Sequence, residues 1–157
     1  MVTRDINKND KSWLTKLVID NWGSSKIVTR GIVYHIEKLH GIIAEESNNK
    51  CGALTYNLEN NECEIITLNA IERNIGIGTL LIKELIKKAK NNNWARIWAI
   101  TTNDNLAALD FYKKRGFNIK IVHTDSISKS RKLKPEIPFI GENGIPIKDE
   151  IELEFIG

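Results

Sequence analysis

Apolar residues recur at intervals of three and four residues in three segments of the chain, a spacing that places them on one face of a helix. The first segment can be capped by Asn9-Asp10 and ended by Gly23. The third follows the capping side chains of Asn103-Asp104-Asn105 and closes at Gly116. The apolar positions of the three predicted helices are Trp13, Leu14, Leu17 and Val18; Leu81, Ile82, Leu85, Ile86 and Ala89; and Leu106, Leu109 and Tyr112.

Shorter apolar segments predict strands. The first three are separated by polar turns and form an antiparallel meander, and the fourth is apolar apart from Arg96, as expected of a strand covered on both faces. In the fifth, Phe117, Ile119 and Ile121 alternate on an inward face. The predicted strands are 41–45, 54–58, 64–69, 94–101, 117–121 and 151–155.

Two segments have no clear period. Ile32–Ile36 fits a short helix or a strand equally well, so it stays open. All three prolines of the chain fall between Lys134 and Ile147, which predicts a long non-helical loop of unassigned role.

The order of elements, α, β, β, β, α, β, α, β, β, predicts an α/β fold with helices on the faces of a mixed sheet. The sheet is expected to be parallel where the second helix crosses from the third strand to the fourth. The length of 157 residues suits a single domain spanning 1–157.

Composition narrows the classes of partner. Lys and Arg exceed Asp and Glu by 23 to 20, an interspersed formal charge of +3 that does not indicate a nucleic-acid binder. Cys51 and Cys63 with three scattered histidines indicate neither a disulfide framework nor a metal site. The first residues lack an apolar signal core, and no stretch approaches the ~18 apolar residues of a membrane span. We therefore expect a cytoplasmic protein with no membrane partner.

The turn before the second helix carries candidate chemistry. Gly76 and Gly78 stand where a helix begins, and a helix start offers main-chain N–H groups and a partial positive charge to an anion. The segment has no Gly-Lys-Ser/Thr, and Leu81 occupies the third glycine position of the dinucleotide pattern, so ATP and NAD are disfavoured. A tight turn that needs glycine explains the same residues equally well.

A second segment favours the anion-binding interpretation. Residues 101–117, with an asparagine opening the helix and Phe111-Tyr112 before Gly116-Phe117, resemble a motif of the GCN5-related N-acetyltransferases (GNAT). Together with Arg73-x-x-Gly76-x-Gly78, the resemblance covers about residues 62–120 in the expected order. It implies the GNAT-like acyl-CoA N-acyltransferase fold, a mostly antiparallel central sheet with one splayed parallel strand pair flanked by helices. It also implies direct transfer of an acetyl group from acetyl-CoA to a primary amine of a small molecule or peptide, without a metal.

The same resemblance implies positions for the co-substrate. Main-chain groups at the end of the third strand would pair with the pantetheine arm, the amides of the glycine turn would hold the diphosphate behind Arg73, and Asn105 would meet the pantetheine or the sulfur. The residues concerned are Leu68, Asn69, Ala70, Arg73, Asn74, Ile75, Gly76, Ile77, Gly78, Thr79 and Asn105. The link from Leu68 to Arg73 is shorter than the common form of the family, which has a proline and an aromatic residue there.

Amine acetylation needs a proton acceptor for the amine and a proton donor for the leaving thiolate. We assign Tyr112 as the acid; alternatively it only packs in its helix, with its hydroxyl bonded to the backbone. Glu64, acting directly or through water, is our candidate base. Its competitors are Glu62, Glu72 and no protein base at all, and a carboxylate on the strand surface is the common alternative.

Three residues are candidates for acceptor recognition: Trp22 and Arg30, which flank the irregular stretch after the first helix, and His123 at the end of an apolar strand. The alternatives are a core anchor, a solvated charge and a structural histidine. Two other functions stay open, a non-catalytic acyl-CoA-binding or sensing module and a nucleotide- or phosphate-binding regulator. A homodimer through the C-terminal strand is also open.

Overall fold

The computed structural model describes residues 1–72 and 75–157. Two units are distinguished within it, Met1–Ile27 with Tyr34–Ile97, and Val28–Val33 with Trp98–Gly157. The helices and strands are β1 (Val2–Asp5), α1 (Lys11–Trp22), β2 (Lys26–Thr29), β3 (Ile32–His35), β4 (His40–Glu46), β5 (Asn49–Glu59), β6 (Glu62–Ala70), α2 (Ile77–Asn92), β7 (Arg96–Thr102), α3 (Leu106–Lys114), β8 (Phe117–His123), α4 (Ser126–Leu133) and β9 (Glu150–Phe155).

In the first unit, four antiparallel strands lie in the order β1, β4, β5, β6. Helix α1 buries Leu14, Leu17 and Val18 in a cluster that includes Ile43 of β4 and Ala53 of β5. The residues next to these two in sequence point to the opposite face, as the alternation of a strand requires, and α2 packs there. The first unit is therefore a sheet with a helix on each face.

One parallel strand pair begins inside the first unit. The Ala95 amide, just before β7, donates to the Asn61 carbonyl, just before β6, over 2.7 Å. An ion pair follows at once, with Arg96 Nη1 3.3 Å from Glu62 Oε1. Strands β6 and β7 thus start side by side, and the mixed sheet with α2 as its crossover helix is confirmed.

A β-bulge in β6 changes which of its side chains share a face. Thr55 of β5 is opposite Thr67, but the next residue, Tyr56, is opposite Ile65, so Ile66 has no partner across the pair. As a result Glu64 lies on the same face as Asn69, the face that α1 covers. A regular strand would have placed these two residues on opposite faces.

In the second unit, β9 lies between β7 and β8 and is antiparallel to both. The C-terminal strand therefore has a hydrogen-bonded neighbour, β7 or β8, on each side. The expectation that this strand could pair with a second copy of the chain is wrong. Strand β8 is the edge of this unit, and Ile119 and Ile121 are 45% and 43% exposed. Phe117 is buried as predicted, but the predicted inward positions of Ile119 and Ile121 are wrong. A bulge between these residues breaks the alternation on which the prediction depended.

The structure contains elements that the apolar pattern did not predict. Strand β1 and helix α4 are too short and too polar to show a period. The open segment is strand β3 followed by a single helical turn, Ile36–Lys38. The proline-containing segment is a loop as predicted, with one short turn, Glu142–Gly144.

Over 1–72 and 75–157, no helix is both long and apolar enough to cross a bilayer. In the same residues, no three His, Cys, Asp or Glu side chains come together as a set of metal ligands.

Asp10 is the N-cap residue of α1, as predicted, but its side chain makes no capping hydrogen bond. Asn7 caps the short turn before the helix, and the Asp10 carboxylate, 1% exposed, instead accepts two 2.8 Å hydrogen bonds from the Arg4 guanidinium. Lys50 Nζ lies 2.9 Å from Asp10 Oδ1, and the Asn7 amide donates to Oδ2 over 2.8 Å. These groups, the Arg4 hydrogen bond above all, hold the pKa of Asp10 well below its ordinary value.

We predict that Asp10→Asn lowers the free energy of unfolding by roughly 1–3 kcal/mol at pH 7, between the values for exposed and buried ion pairs. Because the folded-state pKa is depressed, this stability is present above the ordinary aspartate pKa of ~3.9 and is lost as the pH falls below it. Urea unfolding at pH 7 and pH 3 should therefore show a smaller difference from wild type at pH 3. An equal difference at both pH values would contradict the ion-pair explanation.

Candidate active site

Helix α2 begins at a left-handed glycine. Its N-cap residue, Gly76, has φ +86°, and among residues 1–72 and 75–157 no side chain caps the helix. The first amides of an α-helix have no acceptor within the helix, so those of Ile77 and Gly78 can serve an anion, and Thr79 follows them in the same turn. Ile75 and Gly76 are exposed, and a Cβ at Gly76 would meet nothing within 4 Å. The positive φ makes glycine the favoured residue at 76, so the turn and anion interpretations both apply to it.

The position of this helix start is fixed by packing on β5. A Cβ at Gly52 would lie 2.5 Å from Ile77 Cγ2 and 3.0 Å from the Asn69 carbonyl oxygen. Ile77 is 2% exposed. The first turn of α2 therefore rests on strand backbone, at the place where β5 pairs with the end of β6.

The end of β6 carries the three residues expected to meet the pantetheine arm. Leu68, Asn69 and Ala70 lie opposite Leu54, Ala53 and Gly52. Arg73 and Asn74, expected to open the diphosphate loop, lie outside the described residues.

Trp22, the last residue of α1, reaches this strand end. Its Nε1–H donates to Asn69 Oδ1 over 3.1 Å, and 44% of the residue is exposed. The alternative of a core anchor is therefore wrong. The structure brings together a candidate acceptor residue and a candidate co-substrate residue that are 47 positions apart in sequence.

Glu64 is 3% exposed, so the alternative of a carboxylate on the strand surface is wrong. The Tyr34 hydroxyl donates to Glu64 Oε1 over 2.9 Å. Among its competitors, Glu62 pairs with Arg96 and Glu72 is exposed. Sequence reasoning did not find Tyr34, because it lies in the segment without a period.

In the second unit, Asn105 is the N-cap of α3. Its Oδ1 accepts from the Ala108 amide over 3.0 Å. Asn103 and Asp104, the other two residues expected to cap this helix, form hydrogen bonds elsewhere. Asn103 Oδ1 accepts from the main-chain amides of Lys148 and Asp149. Asp104 Oδ2 accepts from the Glu142 amide in the proline-containing segment.

Tyr112 lies on α3 and is 8% exposed. Its ring makes edge contacts with Phe111 and Phe117, with centroid separations of 5.4 and 5.1 Å. Within the described residues, no hydrogen bond ties its hydroxyl to the backbone. Burial raises the pKa of this phenol above its ordinary value, so the hydroxyl keeps its proton at neutral pH.

Arg30 and His123 contact buried carboxylates of β9 rather than α3. The Arg30 amide donates to both Glu150 oxygens, at 3.0 and 3.2 Å, and its guanidinium lies 4.6 Å from the centre of the Trp98 ring. Arg30 is therefore not a simply solvated charge. His123 Nε2 lies 3.0 Å from Glu152 Oε1. Glu150 and Glu152 are 2% and 5% exposed, and their alternation with apolar residues gave no sign that they would be buried.

Comparison with known sequences decides the family. The profile of the acetyltransferase (GNAT) family matches residues 9–117, more than half of the chain. The chain belongs to the GNAT family. The uncharacterized protein YdhI of Bacillus subtilis (strain 168) is 40% identical over 146 residues, which cover 92% of this chain and 91% of that protein.

Solved structures show the same fold. IAA acetyltransferase from Bacillus cereus ATCC 14579 superposes with a TM-score of 0.74 at 24% identity, over 98% of this chain and 97% of that one. A GNAT family acetyltransferase from Elizabethkingia anophelis with acetyl-CoA bound gives 0.68 at 23% identity, over 98% and 96%. The GNAT fold expected from the sequence is confirmed, and the family makes the protein an acyltransferase.

We predict that Gly52→Ala displaces the first turn of α2 and costs roughly 1–3 kcal/mol of stability, as inserting a methyl group into a packed site does. The matched background is Ile77→Ala, which removes the nearer of the two atoms that the new Cβ would meet and leaves the Asn69 carbonyl in place. Urea unfolding should show that Gly52→Ala costs less in the Ile77→Ala background than in wild type. Additive costs would mean that the two positions do not restrain one another.

We predict that Asn105→Ala lowers stability by about 1 kcal/mol through loss of the α3 cap, whereas Asn105→Ser keeps the cap and most of the stability. Thermal unfolding measures this difference. If Asn105 also binds the co-substrate, Asn105→Ser will bind CoA more weakly in calorimetry despite its stable fold. Wild-type affinity in Asn105→Ser would restrict this residue to capping.

Proposed function

We propose that this protein is an acetyl-CoA-dependent N-acetyltransferase that moves the acetyl group directly to a primary amine, with no metal and no acyl-enzyme. Family membership supports the reaction class. The single observation that carries the choice of co-substrate is the start of α2, where the amides of Ile77 and Gly78 follow the left-handed Gly76 and no described side chain caps the helix. A doubly charged diphosphate suits such a site because the helix dipole and the N–H groups both favour negative charge.

The proposed contacts with the co-substrate lie in three places. Amides from Ile75 to Thr79 would hold the diphosphate, and the main chain of Leu68–Ala70 would hold the pantetheine arm. Asn105 would contact the arm near the sulfur. Arg73 and Asn74 belong to the same proposal on the resemblance alone. When bound, acetyl-CoA supplies an activated acyl group as a thioester.

Tyr112 is proposed as the acid. A leaving thiolate has a basicity near that of cysteine, with a pKa of roughly 8.5, and a protonated phenol beside it can donate a hydrogen bond or a proton. The raised pKa of Tyr112 keeps the donor form in place at neutral pH. Its aromatic contacts with Phe111 and Phe117 restrict the ring to one orientation.

Glu64 is proposed as the proton acceptor. A free alkylamine with a pKa of ~10.4 is almost entirely protonated at neutral pH and cannot attack a thioester until it loses a proton. A buried carboxylate can accept this proton without forming a new charge in the protein interior.

The acceptor is proposed to be a small-molecule or peptide amine that contacts Trp22, Arg30 and His123. Trp22 supplies exposed aromatic surface, and the other two supply positive or titratable groups. We further propose that residues 1–157 act as one catalytic domain in the cytoplasm.

Detection of free thiol during incubation with acetyl-CoA and a panel of amines tests the function. The proposal predicts CoA release that depends on one class of amine. Stabilisation of the fold by acetyl-CoA without transfer to any amine would support the alternative of an acyl-CoA-sensing module, and stabilisation by ATP instead would support a nucleotide-binding regulator.

We predict that Tyr112→Phe lowers kcat by roughly 10²–10⁴ while CoA affinity persists, because only the proton donor is removed. Tyr56→Phe is the matched control, since Tyr56 is another buried phenol, with a pKa raised to about 12 by burial, and lies on β5 outside the site. Calorimetry and the thiol assay measure the two quantities. An unchanged kcat in Tyr112→Phe would remove this residue from the mechanism.

A further inference from the structure

Burial separates Glu64 from any acceptor that arrives from solvent. The residue is 3% exposed, whereas Tyr34 is only partly buried. The Tyr34 hydroxyl donates to Glu64 Oε1 over 2.9 Å. The buried carboxylate is therefore hydrogen-bonded to the hydroxyl group of a residue that is less buried than itself.

The Tyr34 ring is held in place by packing. It lies against the apolar cluster of α1 and the sheet, which includes Leu14, Ile43 and Ile66. A ring fixed on one side by this cluster keeps its hydroxyl at the carboxylate without the entropy cost of ordering a mobile side chain. The pair is thus pre-organised before a substrate binds.

Because of the bulge at Ile66, the Tyr34–Glu64 pair lies on the same face of the sheet as the hydrogen bond of Trp22, the candidate acceptor residue of the first unit. Glu64 and Asn69 share the face that α1 covers, and Asn69 accepts the hydrogen bond from Trp22. Asn69 and Glu64 lie opposite Ala53 and Asn57, four residues apart on β5, so the two hydrogen-bonded pairs are separated by roughly 13 Å at ~3.3 Å per residue. This length suits an extended amine that is held at one end and deprotonated at the other.

We propose that the Tyr34 hydroxyl contacts the acceptor amine and relays its proton to Glu64. This inference rests on the proposed function, since it names the group through which Glu64 acts. An N–H bond of the ammonium breaks and its proton bonds to Tyr34 Oη, while the proton already on Oη passes to Glu64 Oε1. The amine becomes neutral with a free electron pair, Glu64 becomes a neutral carboxylic acid, and Tyr34 is unchanged.

The relay makes Tyr34 a catalytic residue and Glu64 the final proton acceptor behind it. Tyr34→Phe keeps the ring and its packing but removes the relay, and Glu64→Gln keeps the shape of the side chain but removes the proton acceptor. Because both changes interrupt one path, their effects on kcat should not add.

The test compares wild type, Tyr34→Phe, Glu64→Gln and the double variant in the thiol assay, with an amine that wild type acetylates. We expect each single variant to lose about 10²–10³ in kcat, the double variant to lose no more than the worse single variant, and the Michaelis constant for acetyl-CoA to stay within about twofold. Tyr56→Phe, the control phenol on the opposite face of β5, should keep wild-type kcat. Thermal stabilisation by acetyl-CoA shows that each variant is folded.

A second substrate supplies a readout that a structural role would not move. An amine that is already neutral at the assay pH needs no deprotonation, so the losses in Tyr34→Phe and Glu64→Gln should shrink by at least tenfold with it. Equal losses with both amines, additive losses in the double variant, or a full kcat in Tyr34→Phe would overturn the relay. Absence of transfer by wild type to any amine would instead overturn the proposed function itself.

Discussion

The first turn of α2 rests directly on the backbone of β5, and the part of the site proposed to bind acetyl-CoA depends on this contact. Gly52 leaves the space that Ile77 fills, at the level where β5 pairs with the end of β6. The same contact therefore sets the distance between the helix amides and the strand end. A side chain at position 52 would move an anion-binding helix start away from the main chain that is proposed to hold the rest of the co-substrate.

The two hydrogen-bonded pairs on the other face of the sheet in the first unit have a different origin. Trp22 bonds to Asn69, and Tyr34 bonds to Glu64. Both pairs lie on one face because the unpaired Ile66 in β6 shifts the alternation of side chains, which brings Glu64 to the face of Asn69. Strand β6 therefore serves both substrates in the proposal: the face under α2 lies beside the acetyl-CoA site, and the face under α1 lies beside the amine site. The bulge is a local irregularity of one residue, yet it decides whether Glu64 faces the helix that carries Trp22.

Much of the fold follows from local pattern. The period of α2 is clear because Leu81, Ile82 and Leu85 must meet one sheet face, and Gly76 and Gly78 mark its start. Strand β1 could not be found in this way, since it has four residues and depends on pairing with β4 far along the chain. The inward positions of Ile119 and Ile121 in β8 were predicted wrongly because alternation assumes a regular strand, and the bulge between them removes that regularity. For the site, the sequence indicates the glycine turn and α3 through motifs, but Tyr34 has no motif, and the burial of Glu64 and Glu150 is a property of the packed sheet.

Protection of main-chain amides against hydrogen exchange tests the central claim most directly. Acetyl-CoA should slow exchange most at the amides of Ile75–Thr79, whereas an acetylated pantetheine that lacks the diphosphate should leave them near the rate of the free protein. Equal protection by both compounds, or protection by acetyl-CoA confined to residues away from the start of α2, would contradict the assignment of this helix start to the diphosphate.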